Sequence, residues 1–175
     1  IPSFTQDFDI TRHYNSKGAS QNSLFGRGWS FAFNEQVTRD EAGNLYYTRT
    51  DGSILRFAKN GDTYTAPAGY DLSLSVREKE KKKADFGNGE ESYSVVDYLI
   101  TDKSGQEKTF NFFGMITSQK DDKGNLTKLD YNENGQLTAI TDPTGLIYRI
   151  SVNDVGYISR IGLPNGASLS YDYDA

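Results

Sequence analysis

Cysteine is absent, which removes disulfides, thiolate metal sites and cysteine nucleophiles together while leaving the compartment open. Histidine occurs once, at His13, so a two-histidine metal site is excluded. A Ser-His-Asp arrangement would need an elbow to present the serine, and no Gly-x-Ser-x-Gly stretch exists. His13 is expected as a partly buried polar residue of an N-terminal strand. No apolar run approaches membrane-spanning length. No ten-residue stretch carries the spacing of an amphipathic helix. Positive charge is also short, with 19 Lys and Arg against 24 Asp and Glu. That balance weighs against a nucleic-acid backbone or an anionic membrane surface as partner.

Aromatics and glycines are plentiful. The 12 tyrosines suit half-buried pleated surfaces, where the ring packs and the hydroxyl reaches water. Seventeen glycines against four prolines, without collagen periodicity or low-complexity runs, indicate many tight turns. Those turns are periodic. YNENGQLTAITDPTG, residues 131–145, returns 21 residues later as VNDVGYISRIGLPNG. Gly135 falls on Gly156, Leu137 on Ile158, Ile140 on Ile161, Pro143 on Pro164 and Gly145 on Gly166. One period earlier stand Gly114, Ile116, Asp122 and Gly124. Each module therefore has two turns, many of them Asn-Gly or X-Gly pairs, as the positive φ of two-residue hairpin loops requires.

Between the turns the pattern is that of strands about five to eight residues long. Leu146, Tyr148, Ile150 and Val152 alternate on one face, matched by Thr127, Leu129 and Tyr131 before them and by Leu169, Tyr171 and Tyr173 after. Period-two alternation with one apolar face predicts a sheet with a covered side and a wet side. The first strand of each module deviates: Leu137 and Ile140 are three apart, as are Ile158 and Ile161, which predicts a bulge or a partly buried second face. Upstream, Asn44-Leu45-Tyr46-Tyr47-Thr48, Ser53-Ile54-Leu55-Arg56-Phe57, residues 92–100 and Thr109-Phe110-Asn111-Phe112-Phe113 are further strand candidates. The charged run REKEKKKADFGNGEE, residues 77–91, is expected as the solvated tip of a long hairpin. The fold class is all-β, built from sequential antiparallel hairpins that form a curved strip or part of a larger shell. A pre-repeat β region, residues 1–113, is followed by 21-residue repeats over 114–175. The chain opens at Ile1-Pro2 and stops inside a repeat, so it reads as a segment of a longer protein, truncated at its C-terminus.

No reactive constellation stands out. Asp130-Tyr131-Asn132-Glu133-Asn134-Gly135 matches the first half of a calcium loop, but Thr141 occupies the position of the bidentate Glu and the flanks are strands. The Asx residues are better read as turn formers. Gly26-Arg27-Gly28 lacks the helix that a phosphate cradle needs. No two of the acidic residues are singled out as a glycosidase pair. Tyr131, Tyr148, Tyr171 and Tyr173 could stack sugars, yet they share a face with Leu129, Ile150, Val152 and Leu169 and are expected in the core. No catalytic, cofactor-binding or metal-ligating residue is assigned, and the segment is expected not to be an enzyme.

The tail, with Tyr131-Asn132-Glu133-Asn134-Gly135-Gln136-Leu137, Ile140-Thr141-Asp142-Pro143-Thr144-Gly145 and Tyr171-Asp172-Tyr173-Asp174, resembles the RHS/YD-repeat family. The front resembles the segment that precedes the repeats in bacterial members, through Phe8-Asp9-Ile10-Thr11-Arg12-His13-Tyr14-Asn15-Ser16 and Phe25-Gly26-Arg27-Gly28-Trp29-Ser30. Asp51-Gly52-Ser53, Phe57, Gly61, Tyr64 and Pro67 continue it, while residues 77–91 depart from it and Val152-Asn153 stands where a Tyr-Asp pair would be. The resemblance implies a large secreted or cell-wall-associated bacterial protein whose hairpin strip coils into a hollow shell around a C-terminal toxin or effector. Its implied partners are the rest of the same polypeptide and that cargo, with neither nucleic acid nor membrane insertion. The alternative is a carbohydrate-binding or adhesion module that contacts cell-wall or surface glycans.

Overall fold

The computed structural model describes residues 10–14, 22–81 and 93–174. Phe8, Asp9, Asn15 and Ser16 of the front motif and residues 82–91 of the charged run lie outside these. Among the described residues the chain has strands and turns and no helix. The front part holds β1 (Arg12–Tyr14), β2 (Asn22–Ser23), β3 (Gly26–Arg27) and β4 (Trp29–Phe31). A four-stranded meander follows: β5 (Gln36–Arg39), β6 (Leu45–Thr48), β7 (Ile54–Asn60) and β8 (Thr63–Thr65). Then come β9 (Leu72–Lys81), β10 (Tyr93–Asp102), β11 (Glu107–Phe110), β12 (Ile116–Lys120) and β13 (Leu126–Tyr131). The last strands are β14 (Leu137–Thr141), β15 (Ile147–Val152), β16 (Ile158–Gly162) and β17 (Ser168–Ser170). From β9 to β17 they form one nine-stranded antiparallel sheet in strict sequence order. The sheet thus begins upstream of the first full repeat, and the pre-repeat strands β9–β11 run continuously into the repeat strands.

The turns differ from the two-residue loops expected. Asn132 N–H donates to the Gln136 carbonyl at 3.0 Å, and Gly135 N–H donates to the Asn132 carbonyl at 3.0 Å. Three residues therefore separate the paired ends, as in a type I turn closed by a left-handed glycine; Gly135 has φ 74°. The same pair of bonds recurs from Asp121, Asp142, Asn153 and Leu163. In the first three of these turns, as at Asn132, an Asx side chain completes the loop. Asn132 Oδ1 accepts from Asn134 and Gln136 N–H at 3.1 and 2.9 Å, and Asp142 Oδ1 from Thr144 and Leu146 N–H at 2.8 and 3.0 Å. This is why the acids and amides cluster beside glycine.

The irregular first strand is a bulge. Asp130 pairs Ala139 but Tyr131 pairs Leu137, so Thr138 is the extra residue. One period on, Ser151 pairs Arg160 and Val152 pairs Ile158, leaving Ser159; one period back the extra residue is Thr117. The three hydroxyls donate back to the Asp130, Ser151 and Thr109 carbonyls at 3.0, 3.3 and 3.2 Å. Because of the insertion Leu137 and Ile140 both reach the core, as do Ile158 and Ile161; all four are at most 1% exposed.

Other expectations need adjustment. Phe112 and Phe113 are exposed on the turn after β11, not in a strand. The charged run is strand as far as Lys81, pairing antiparallel with β10. Gly52 ends its turn, and Gly61 opens the two-residue loop Gly61-Asp62 between the paired Asn60 and Thr63.

The strip does not bury its apolar face alone. Tyr98, Phe110, Ile116, Leu129, Ile140, Tyr148 and Ile150 from the strip join Phe25, Phe31, Phe33, Val37, Leu45, Leu55 and Phe57 from the front part in one buried cluster. Burial of each such side chain stabilises by roughly 1.5–3 kcal/mol. The two parts meet backbone to backbone at Gly114, whose carbonyl accepts Val37 N–H at 2.9 Å. A Cβ on Gly114 would lie 1.7 Å from the Val37 carbonyl oxygen, in addition to the strain of φ 78°. Gly114→Ala should therefore cost more than about 2 kcal/mol. Gly105→Ala, with φ 90° but open space around it, should cost about 1 kcal/mol, the left-handed penalty alone. Urea denaturation checks the pair, and equal losses would refute close packing at Gly114.

Candidate functional site

The junction between the front part and the strip carries the densest polar chemistry. Glu35 follows the tight bend in which Asn34 N–H donates to the Phe31 carbonyl, and it enters β5 with a carboxylate only 3% exposed. Lys108 shares its side of β11 with Phe110, so its stem runs beside the core and its ammonium meets Glu35 at 2.8 and 2.7 Å. Tyr47, from β6, donates its hydroxyl to Glu35 Oε2 at 2.7 Å and accepts from Lys108 at 3.2 Å. Burial, followed by the negative charge of Glu35, pushes the Tyr47 hydroxyl well above the usual phenol range, so it stays protonated and donates. The trio is mutually satisfied, the condition under which buried charge is tolerated. It is arranged as a tie between layers. A cleft of about 340 Å³ opens beside it, lined also by Arg49, Tyr70, Asp102 and Gln106.

A second tie lies at the other end. Arg12 places its guanidinium 4.8 Å from the ring centroids of both Trp29 and Tyr171 and 5.6 Å from that of Phe25. Ile158 N–H donates to the Leu24 carbonyl at 2.6 Å, joining β16 to the front part. His13, on β1 opposite Ser30, is exposed instead of half-buried, since it points to the side of the strand away from Arg12 and Tyr14, which pack on Trp29. Gly26 and Gly28 have positive φ and flank Arg27 at β3, which serves a tight hairpin.

The tyrosine ladder faces inward as expected. Tyr148 is 3% exposed, and Tyr131, Tyr171 and Tyr173 are half-buried. The Tyr131 hydroxyl donates to the Ile116 carbonyl at 2.8 Å, and two periods later Tyr173 donates to the Ile158 carbonyl at 2.7 Å. Both acceptors sit at the mouth of a bulge. Burial raises both phenols, keeping the donors protonated. Val152 takes the intermediate position, keeping the packing and giving up the bond. Leu146 and Leu169, expected on the covered face, are 38% and 39% exposed, at a turn and on the edge strand.

Asn132 of the calcium-like stretch spends its amide oxygen on turn N–H groups, and Asp130 faces solvent. Asp142 is 2% exposed; its Oδ1 takes three bonds from the turn, while Oδ2 has no hydrogen-bond partner. At the equivalent Asp121 the Asn125 amide donates to Oδ2 at 2.7 Å, a role that Leu146 cannot fill. Sequence reading missed Glu35, Tyr47 and Lys108. The one signal was a lysine in phase with Phe110 in Glu107-Lys108-Thr109-Phe110.

Residues 1–57 match the family described as Domain of unknown function (DUF6531), and residues 113–147 match the RHS Repeat family. No curated protein matches the chain. The first match covers the front strands and β5–β6 and reaches into β7; the second spans β12–β14 with their turns.

Removing one partner of the buried ion pair should cost about 3 kcal/mol through Lys108→Met or Glu35→Gln alone, and the double variant should recover much of it. A denaturation double-mutant cycle with additive losses would exclude the coupling.

Acid should loosen the turns. The Asp40, Asp51, Asp102 and Asp121 carboxyls are held below their ordinary value of 3.8, chiefly by side-chain hydrogen bonds from Asn44, Ser53, Ser104 and Asn125. A depressed folded value means stability that is present above the unfolded value and lost as pH falls through the folded one. The urea midpoint should hold between about pH 7 and 5 and drop below about pH 4. Asp102→Asn and Asp121→Asn should flatten that acid limb, and a midpoint constant down to about pH 2 would contradict the assignment.

Proposed function

Since the chain belongs to the RHS/YD-repeat family, we propose that it forms part of the wall of a β-shell in a secreted or cell-wall-associated bacterial protein that encapsulates or delivers a C-terminal toxin or effector. The observation that carries this reading is the module itself. Turn, bulge hydroxyl and YD-position side chain each satisfy or pack against the neighbouring strand, so every module docks on the last in the same way. A lone hairpin is marginal in water, whereas stacked hairpins bury one continuous face. The role is structural and not enzymatic, and its partners are the remainder of the polypeptide and its cargo.

The alternative is a carbohydrate-binding or adhesion module that uses exposed aromatics and Asx-rich loops. Tyr131 and Tyr148 instead pack on the core side, while Tyr14, Phe112, Phe113 and Tyr70, the last beside the polar cleft, are exposed. Electron microscopy of the protein as its native host makes it should reveal a hollow closed particle, with the repeat strip in its wall. A solid globule or an open filament would overturn the shell reading.

A further inference from the structure

The outward face of the strip bears a feature that the module does not require. Arg149 on β15 stands opposite Gly162 on β16, and Arg160 lies diagonally across the same strand pair, two residues from Gly162. Diagonal neighbours of this kind are about 7–8 Å apart. A groove of about 540 Å³ on this face is lined by both arginines and by Gly162. Its shoulders include Leu146, Ile147 and Pro164, and Leu146 and Ile147 are exposed apolar side chains. Neither Arg149 nor Arg160 has an ion pair, ring contact or side-chain hydrogen bond among the described residues.

The repeat supplies an internal control. Positions that the fold needs recur every 21 residues, as the turn glycines do. Arg149 corresponds to Lys128 before it and Ser170 after it, Arg160 to Ala139, and Gly162 to Thr141. Gly162 is not a backbone requirement, because it is absent from the positive-φ glycines and an added Cβ would make only ordinary contacts of 3.7 Å with Arg149. The missing side chain is what opens the groove.

We propose that this groove docks an extended acidic polypeptide segment, with a carboxylate held between Arg149 and Arg160 and an apolar side chain laid on Ile147. Two unpaired guanidinium groups in a chain of net charge −5 are complementary to a carboxylate, which arginine binds through its planar fork. The apolar shoulders favour a polypeptide over a polyphosphate or a sugar acid, neither of which offers an apolar side chain. Docking here is independent of whether the strip closes into a shell.

The test is fluorescence anisotropy with a fluorescein-labelled peptide of alternating Glu and Leu, with the Gln-Leu peptide and inorganic polyphosphate as comparators. Saturable binding of the Glu-Leu peptide is expected, weakened about tenfold by Arg149→Ala or by Arg160→Ala. Gly162→Leu should fill the groove and weaken binding with the charges intact, and Gly162→Ser serves if the leucine variant melts early. The Gln-Leu peptide should not bind, and polyphosphate should not displace the Glu-Leu peptide. Absence of saturable binding, indifference to the Gly162 variants, or equal competition by polyphosphate would each overturn the proposal.

Discussion

One inserted residue per module governs how the sheet buries itself. A regular strand sends alternate side chains to opposite faces, so residues three apart cannot both face the core. The extra Thr138 or Ser159 breaks the alternation and brings a second aliphatic side chain inward, while Thr117 makes the same bulge with Gln119 in that second position. The interruption leaves backbone groups out of the ladder, and such groups are costly to bury unpaired. The structure answers with short-range donors: the hydroxyl of the inserted residue and, in two modules, a tyrosine at the end of the following strand or just past it. Packing density, strand bend and the YD-position tyrosine are thus facets of a single constraint.

The polar junction follows from where the bulged strip meets a second layer. Glu35 and Lys108 come from elements far apart in sequence, yet they close a buried pair on which Tyr47 converges. Buried pairs add little net stability compared with apolar packing, but an unmatched partner is heavily penalised. A pair of this type therefore discriminates between registers more than it strengthens the right one. The Gly114–Val37 contact acts alike, since only one alignment lets the two backbones approach so closely.

Much of this was legible in the residues. The 21-residue period placed the turns, the Leu137–Ile140 spacing exposed the bulge, and alternation put Tyr148 inside. Local chemistry governs these features, and local chemistry is what a sequence displays. The loop type was misread because Asn-Gly suits several turns; what distinguishes them is the Asx residue three positions before most of the turn glycines, such as Asn132 before Gly135. The exposure of His13 follows from its lying on the side of β1 away from Trp29, which no local pattern marks. The Glu35–Lys108 tie was invisible because no local pattern links residues brought together only by docking two sheets.

The front part is made well before the strands that cover it. Leu24 offers its carbonyl to Ile158, Phe25 packs its ring against Tyr171, and Arg12 rests on that same ring. A chain emerging from the ribosome holds these residues without their partners until Ile158 and Tyr171 have been synthesised. Contacts of such span close slowly and all together. The strip is thus also a clock: the front strands can settle only when Ile158 and Tyr171 have arrived.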